Sequence, residues 1–310
     1  MKNYSPLVAL VIASLFSHAL GESAFSQDTK ETHTYKKVDK RELKIHVSKP
    51  ADWKAGGSQP AVVFFHGGGW VGGTPGQFDE HCKHLTSKGM VCFQVEYRLL
   101  AKPNKKAKQK KGSAAAKPPA KTESSTEAKA ADQTPTNCIH DAKSAMRWVR
   151  GNASKFGIDP NRIASGGGSA GGHLAAFLGT TDGTDDPNDD LNISARSNAM
   201  LLFNPVYNNG PDGWGTRRVG DRYQEFSPAH NITSDDAPSI VFLGTQDKLI
   251  PVSTGQEFQN TMRKNGVQSE LRLYAGADHG FFNVNKEDGK WYRLTIEEMN
   301  EFLVGLGWIK

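Results

Sequence analysis

A serine, an acid and a histidine that follow one another along a chain, each at the end of a strand, are the parts of an acyl-transfer machine. This chain holds them in that order. Ser169 stands in "GGGSAGG" (166–172), Asp247 in "VFLGTQDKLIP" (241–251) and His279 in "YAGADHGFF" (274–282). The serine segment fits G-x-S-x-G, and "AGGHLAAFLG" (170–179) after it reads as a helix. A serine on so sharp a strand-to-helix turn is strained, and glycines on both sides keep bulk away from the flanking elements. The helix start would aim its dipole and the Ala170 N–H at negative charge forming beside the hydroxyl. A phosphate-binding loop is the rival reading, but G-x-x-x-x-G-K-[ST] is absent. A plain glycine linker is the bland one.

Two features favour chemistry over the linker. "FFHGGGW" (64–70) follows a strand, and Gly67, Gly68 and Gly69 can present backbone N–H groups at close approach, the second half of an oxyanion hole. Asp247 and His279 each follow a strand, which places them on the same sheet edge as Ser169.

Those elements are legible as alternating short apolar runs and longer amphipathic stretches. Strands are predicted at 35–38, 42–47, 61–65, 91–96, 162–166, 199–203, 239–243 and 270–274. Helices are predicted near 77–88, 137–155, 170–179, 253–265 and 291–306. The alternation implies an α/β domain, a mostly parallel sheet with an antiparallel edge and helices on both faces.

The motifs "HGGGW", "EYRL" (96–99), "FGIDPNRI" (156–163), "GSAGGHLA" (168–175), "GTQDKLIP" (244–251) and "DHGFF" (278–282) together resemble an α/β-hydrolase esterase with an HGGG oxyanion loop. The nearest types are the hormone-sensitive-lipase-like carboxylesterases and the bacterial feruloyl and acetyl xylan esterases. The resemblance spans about residues 61–285 apart from a lysine-rich stretch. It implies an α/β-hydrolase fold and a serine carboxylesterase with Ser169 as nucleophile, His279 as base and Asp247 orienting it. Gly67, Gly68 and Ala170 would hold the oxyanion. It also implies an Arg98–Asp141 pair. Two departures stand out. The lipase-like branch has an acid before the serine, where this chain has Gly168, and only about forty residues stand where that branch has a helical cap. Little or no cap implies an open site suited to short acyl esters on bulky alcohols, such as acetyl groups on xylan-type polysaccharide. An arylformamidase- or peptidase-like amide hydrolase and a non-catalytic binding module on the same fold are the other readings.

Several further residues invite a role. Trp70 and Tyr207 are candidates to line the substrate pocket, and the polar segment 204–218 is a candidate lid. His66 is expected to brace the HGGG loop and His173 to pack in the core. His140 and His230 stand in no catalytic pattern. Asp278, adjacent to His279, is a poorer acid than Asp247 because neighbours in a loop seldom face each other.

Composition bounds the rest. The 310 residues, 37% hydrophobic and 23% charged, suffice for one domain with a full core. The net charge of +5 is local: residues 101–134 carry nine lysines and three acids, leaving the remainder near neutral, which excludes a nucleic-acid groove. That stretch, rich in Lys, Ala and Pro, reads as a disordered insert within the domain 22–310 and a possible contact for anionic polymers. Residues 1–21, with Lys2, an apolar run at 6–16 and a cut after "ALG", read as a signal peptide, hence a secreted or periplasmic protein. Cys82, Cys92 and Cys138 match no zinc spacing and allow one optional disulfide. No cofactor, metal, haem or nucleotide motif is present.

Overall fold

The computed structural model describes residues 30–101, 134–211 and 213–310. The leader expected at 1–21 and residues 102–133 of the lysine-rich stretch lie outside the described residues. Eight strands form one sheet: β1 (Glu31–Val38), β2 (Arg41–Ser48), β3 (Gln59–Phe65), β4 (Val91–Val95), β5 (Ile158–Gly168), β6 (Ala199–Phe203), β7 (Ser239–Gly244) and β8 (Ser269–Tyr274). Their order is β1-β2-β4-β3-β5-β6-β7-β8. From β4 to β8 every pairing is parallel, while β1–β2 and β2–β4 are antiparallel. The sheet and its flanking helices form the α/β domain the alternation implies, and the order is that of the α/β-hydrolase fold implied by the resemblance.

The inner strands are buried on both faces, which is why they read as unbroken apolar runs. Along β3, Val63 and Phe65 join one core and Val62 and Phe64 the other. Helices α2 (Thr136–Gly151), α4 (Ala170–Thr180) and α7 (Val252–Lys264) close the first face, through residues such as Ala142, Leu174 and Phe258. Helices α1 (Asp79–Ser87) and α8 (Lys290–Gly305) close the second, through Leu85, Met299 and Phe302.

The helix expected at 137–155 is in fact two, because the chain breaks at Gly151-Asn152 before α3 (Ala153–Phe156). Two further four-residue helices, α5 (Thr216–Val219) and α6 (Tyr223–Phe226), follow β6 and are too short to show a period. The pair implied by the resemblance is present. Asp141, fully buried, accepts Arg98 Nε at 2.8 Å, Nη2 at 2.7 Å and the Arg98 N–H at 2.9 Å, and Lys36 Nζ lies 3.0 Å away. Cys82 and Cys138 are buried free thiols, and burial pushes Cys138 up to about 12.

Candidate active site

The five parallel strand ends from β3 to β8 deliver every candidate side chain to one edge. Ser169 leaves β5 at φ 54° and ψ −116°, a conformation that costs a side chain about 1–3 kcal/mol. The strain is held by hydrogen bonds from both neighbours: Ser169 N–H donates to Phe203 O at 3.0 Å, and Ser169 O accepts the N–H groups of His173 at 3.0 Å and Val206 at 3.1 Å. The flanking glycines are needed for room. A Cβ at Gly167 would overlap the Gly171 carbonyl, and one at Gly171 would overlap the Phe65 carbonyl. Gly168, the residue that departs from the lipase-like pattern, has its own cause: a Cβ there would overlap the buried ring of Phe282, which fills the space an acid would need.

The structure brings Ser169, His279 and Asp247 together. His279 Nε2 lies 2.9 Å from Ser169 Oγ, and Nδ1 lies 2.7 Å from Asp247 Oδ2. The Asp247 side chain is fully buried, and its Oδ1 accepts the N–H groups of Leu249 at 2.8 Å and Ile250 at 3.0 Å. These bonds leave Oδ2 for the imidazole and fix its tautomer with a proton on Nδ1. Nε2 then offers its lone pair to the serine hydroxyl, the geometry of a general base. Asp278 is exposed and turns to Lys286, 3.8 Å away.

The HGGG loop corrects one expectation. Gly67 N–H donates to Gln77 Oε1 at 2.7 Å, so it is spoken for and cannot serve an oxyanion. The next two peptides are held by their carbonyls instead. The His66 ring nitrogen Nδ1 lies 2.8 Å from Gly67 O, and Val71 N–H donates to Gly68 O at 3.1 Å. A trans peptide points its N–H opposite its C=O, so anchoring those carbonyls turns the N–H groups of Gly68 and Gly69 the other way. No acceptor among the described residues engages them, or Ala170 N–H at the start of α4. The donor set in this geometry is therefore Gly68, Gly69 and Ala170. His66 does brace the loop: its ring stacks on Tyr97 at 4.4 Å, and Tyr97 Oη donates to His66 O at 2.7 Å. Burial holds the His66 ring below the ordinary histidine range, hence neutral.

Trp70 is also corrected. It is fully buried, edge-on to His173 at 5.0 Å, so no substrate can touch it. Tyr207 is equally buried, stacked 4.5 Å from Phe258, and contributes only an inner wall. The aromatic ring at the surface of this region is Trp214, half-buried, 5.3 Å from Trp70 and over Gly69. Its placement comes from segment 204–218, where Trp214 N–H donates to Asn208 O and Asn209 Nδ2 donates to Trp214 O. The segment is thus packed down on the HGGG loop. Tyr207, Trp214, Pro205, Leu249 and Ile250 enclose a recess of about 10 Å³. A larger, open cleft of about 510 Å³ lies against Gly67, Gly68, Thr74, Gln77, Asn283 and Asn285.

The remaining histidines stand apart. His173, pushed down to about 4 by burial, donates from Nε2 to Phe226 O at 2.7 Å. His230 meets Ser227 Oγ at 2.8 Å and His140 lies 3.9 Å from Asp186.

Known proteins resemble this chain along its length. Three family models match it: alpha/beta hydrolase fold over residues 62–133, BD-FAE over 124–207, and the dienelactone hydrolase family over 222–303. Esterase LipC of Mycobacterium tuberculosis is 26% identical over 72% of this chain and 53% of its own length. The probable carboxylic ester hydrolase LipM of the same organism is 25% identical over 71% of this chain and 48% of its own. The chain thus spans about half the length of these curated relatives. Among solved structures, the apo form of Thermogutta terrifontis esterase 2 is 37% identical, with a TM-score of 0.77 over 91% of this chain and 96% of that one. The same esterase is known with propionate bound, with butyrate bound and phosphorylated by paraoxon.

Proposed function

The chain belongs to the α/β-hydrolase fold esterases, and on that premise we propose that it is a serine carboxylesterase acting on short acyl esters. The observation that carries the reading is His279 bridging Ser169 and Asp247 at 2.9 and 2.7 Å, with unengaged N–H groups on both sides of the serine.

Ser169 Oγ attacks the ester carbonyl while Nε2 of His279 takes its proton. Asp247 steadies the imidazolium, and Gly68, Gly69 and Ala170 receive the oxyanion, each donor contributing about 3 kcal/mol. The carbon–oxygen bond to the alcohol then breaks, and His279 returns the proton to the leaving oxygen. A water, activated by the same nitrogen, releases the acid and frees the serine.

The propionate and butyrate found in the solved esterase support short acyl groups. The finer reading is an acetyl esterase of xylan-type polysaccharide, supported by the open cleft beside the HGGG loop. Export through residues 1–21 is part of the proposal, and recovery of a mature protein beginning near Glu22 outside the cytoplasm tests it.

The decisive experiment compares the protein with Ser169→Ala on p-nitrophenyl acetate, butyrate and octanoate, with acetylated xylan in parallel. Serine-dependent turnover that declines with acyl length, with acetate released from xylan, is the expected result. Turnover of esters without release from xylan removes the polysaccharide reading. Folded protein with no serine-dependent turnover sinks the esterase itself and brings forward a binding module.

A further inference from the structure

Gln77 lies in the tight turn Pro75–Phe78, outside every element that carries Ser169, Asp247 or His279. Its amide is committed at both ends. Oε1 accepts Gly67 N–H at 2.7 Å, and Nε2 donates to Asn283 Oδ1 at 3.0 Å. Asn283 Nδ2 in turn donates to Gly280 O at 2.7 Å. Gly280 follows His279, and its N–H donates to Asn204 Oδ1 at 3.0 Å, while Asn204 Nδ2 stands 3.4 Å from His279 Nε2. Gln77 and Asn283 each accept at oxygen and donate at nitrogen in one direction, so the bonds from Gly67 to Gly280 reinforce one another.

The series joins two loops that the sheet keeps apart, since β5, β6 and β7 stand between the strands that lead into them. Both loops are poor at holding themselves. One contains three successive glycines, and Gly280 in the other sits at φ 81°. Glycine backbones have the most conformational freedom to lose and no side chain to anchor. Apolar packing anchors each loop at its flank, through buried Trp70 on one and Phe281 and Phe282 on the other, but the two are joined across the wall of the open 510 Å³ cleft by the polar relay.

We propose that Gln77 and Asn283 are positioning residues that keep the oxyanion loop and the His279 loop in register, so that the charge-stabilising and proton-transferring halves of the site are set by one shared strut. The inference rests on the esterase reading above. A shift of about 1 Å between reacting groups costs roughly 100-fold in rate.

The test uses Gln77→Met and Asn283→Leu, which keep side-chain size and remove the amides, and the double variant. Paraoxon end-point titration counts functional serines, so that kcat is expressed per competent site. Each single variant is expected to lose about 10- to 100-fold in kcat on p-nitrophenyl acetate with KM within about two-fold, and the double to lose no more than the worse single. If Gln77→Met does not fold, Asn283→Leu alone carries the test, because it cuts the relay and leaves Gln77 Oε1 on Gly67 N–H; the same loss is expected. A kcat per site within about two-fold of the parent, or losses that multiply in the double variant, overturns the shared strut. Absence of Ser169-dependent turnover in the parent is a different result, overturning the esterase reading and this inference with it.

Discussion

Adding one methyl group at Gly168 tests whether the nucleophile turn depends on the ring behind it. A Cβ at 168 would overlap Cζ of Phe282 and stand 3.0 Å from Cε1, where ordinary contact begins at 3.4 Å, so turn or ring must yield by about 1 Å. The ring has nowhere to go. It is 1% exposed, 4.9 Å from Phe203 and 5.8 Å from Phe78, in a core packed as tightly as an organic crystal. Overpacking costs about 1–3 kcal/mol, and a rigid aromatic surround puts Gly168→Ala near ~3 kcal/mol. At ~2–4 °C per kcal/mol this lowers Tm by about 6–12 °C. Displacement reaches Ser169 directly, so kcat should fall about 100-fold. Differential scanning calorimetry and hydrolysis of p-nitrophenyl acetate read the two effects. In Gly168→Ala/Phe282→Leu the methyl occupies space the ring has vacated, and the pair should couple favourably by at least ~1 kcal/mol. A Gly168→Ala protein that melts within about 1 °C of the parent and turns over within about two-fold would refute the reasoning.

Three further outcomes follow from the same geometry. His66→Ala frees the carbonyl that orients the Gly68 N–H, and steady-state kinetics should show kcat down about 100-fold with KM little changed. His81 is buried among Phe64, Phe78, Phe203 and Phe282 with both ring nitrogens lacking a partner among the described residues, and burial pushes it down to about 3. Its folded value lies below the unfolded one of about 6.5, so the unfolded state takes the proton first and stability is lost as pH falls below ~6.5. At pH 5 that loss is about 2 kcal/mol, and in urea unfolding His81→Phe should gain that much more over the parent at pH 5 than at pH 8. Asp141→Ala leaves Arg98 and Lys36 without their buried carboxylate and should cost about 3–5 kcal/mol in chemical denaturation.

The inner sheet was readable in the sequence because strands buried on both faces must be apolar throughout, while the partly exposed β1, β2 and β8 mix charged and apolar residues; all eight predicted runs are strands. Ser169, Asp247 and His279 could be singled out because chain order and strand-end position depend on topology alone. What escaped was decided by partners distant in sequence. Whether Gly67 or Gly69 has an idle N–H turns on Gln77, ten residues on, and on the side to which His66 and Val71 hold the next carbonyls. Trp70 looked like a pocket residue until segment 204–218 covered it with Trp214. Gly168 looked like a lost acid, and only Phe282, 114 residues away in sequence, explains it.

The Arg98–Asp141 pair has a consequence for how this protein can vary. Arg98 stands just before residues 102–133 and Asp141 just after them, and Cys138 Sγ also donates to Arg98 O at 3.1 Å. Leu100 N–H is fixed to Trp70 O at 2.7 Å on the near side. The two ends of the interval are thus fastened to each other and to the HGGG region by bonds among the described residues. Doubling the length of such an interval costs only about 0.6 kcal/mol of closure entropy. A lineage can therefore lengthen, shorten or exchange that stretch, and an engineer can graft a module there, without retuning the catalytic edge: the clasp makes this one position of the chain modular.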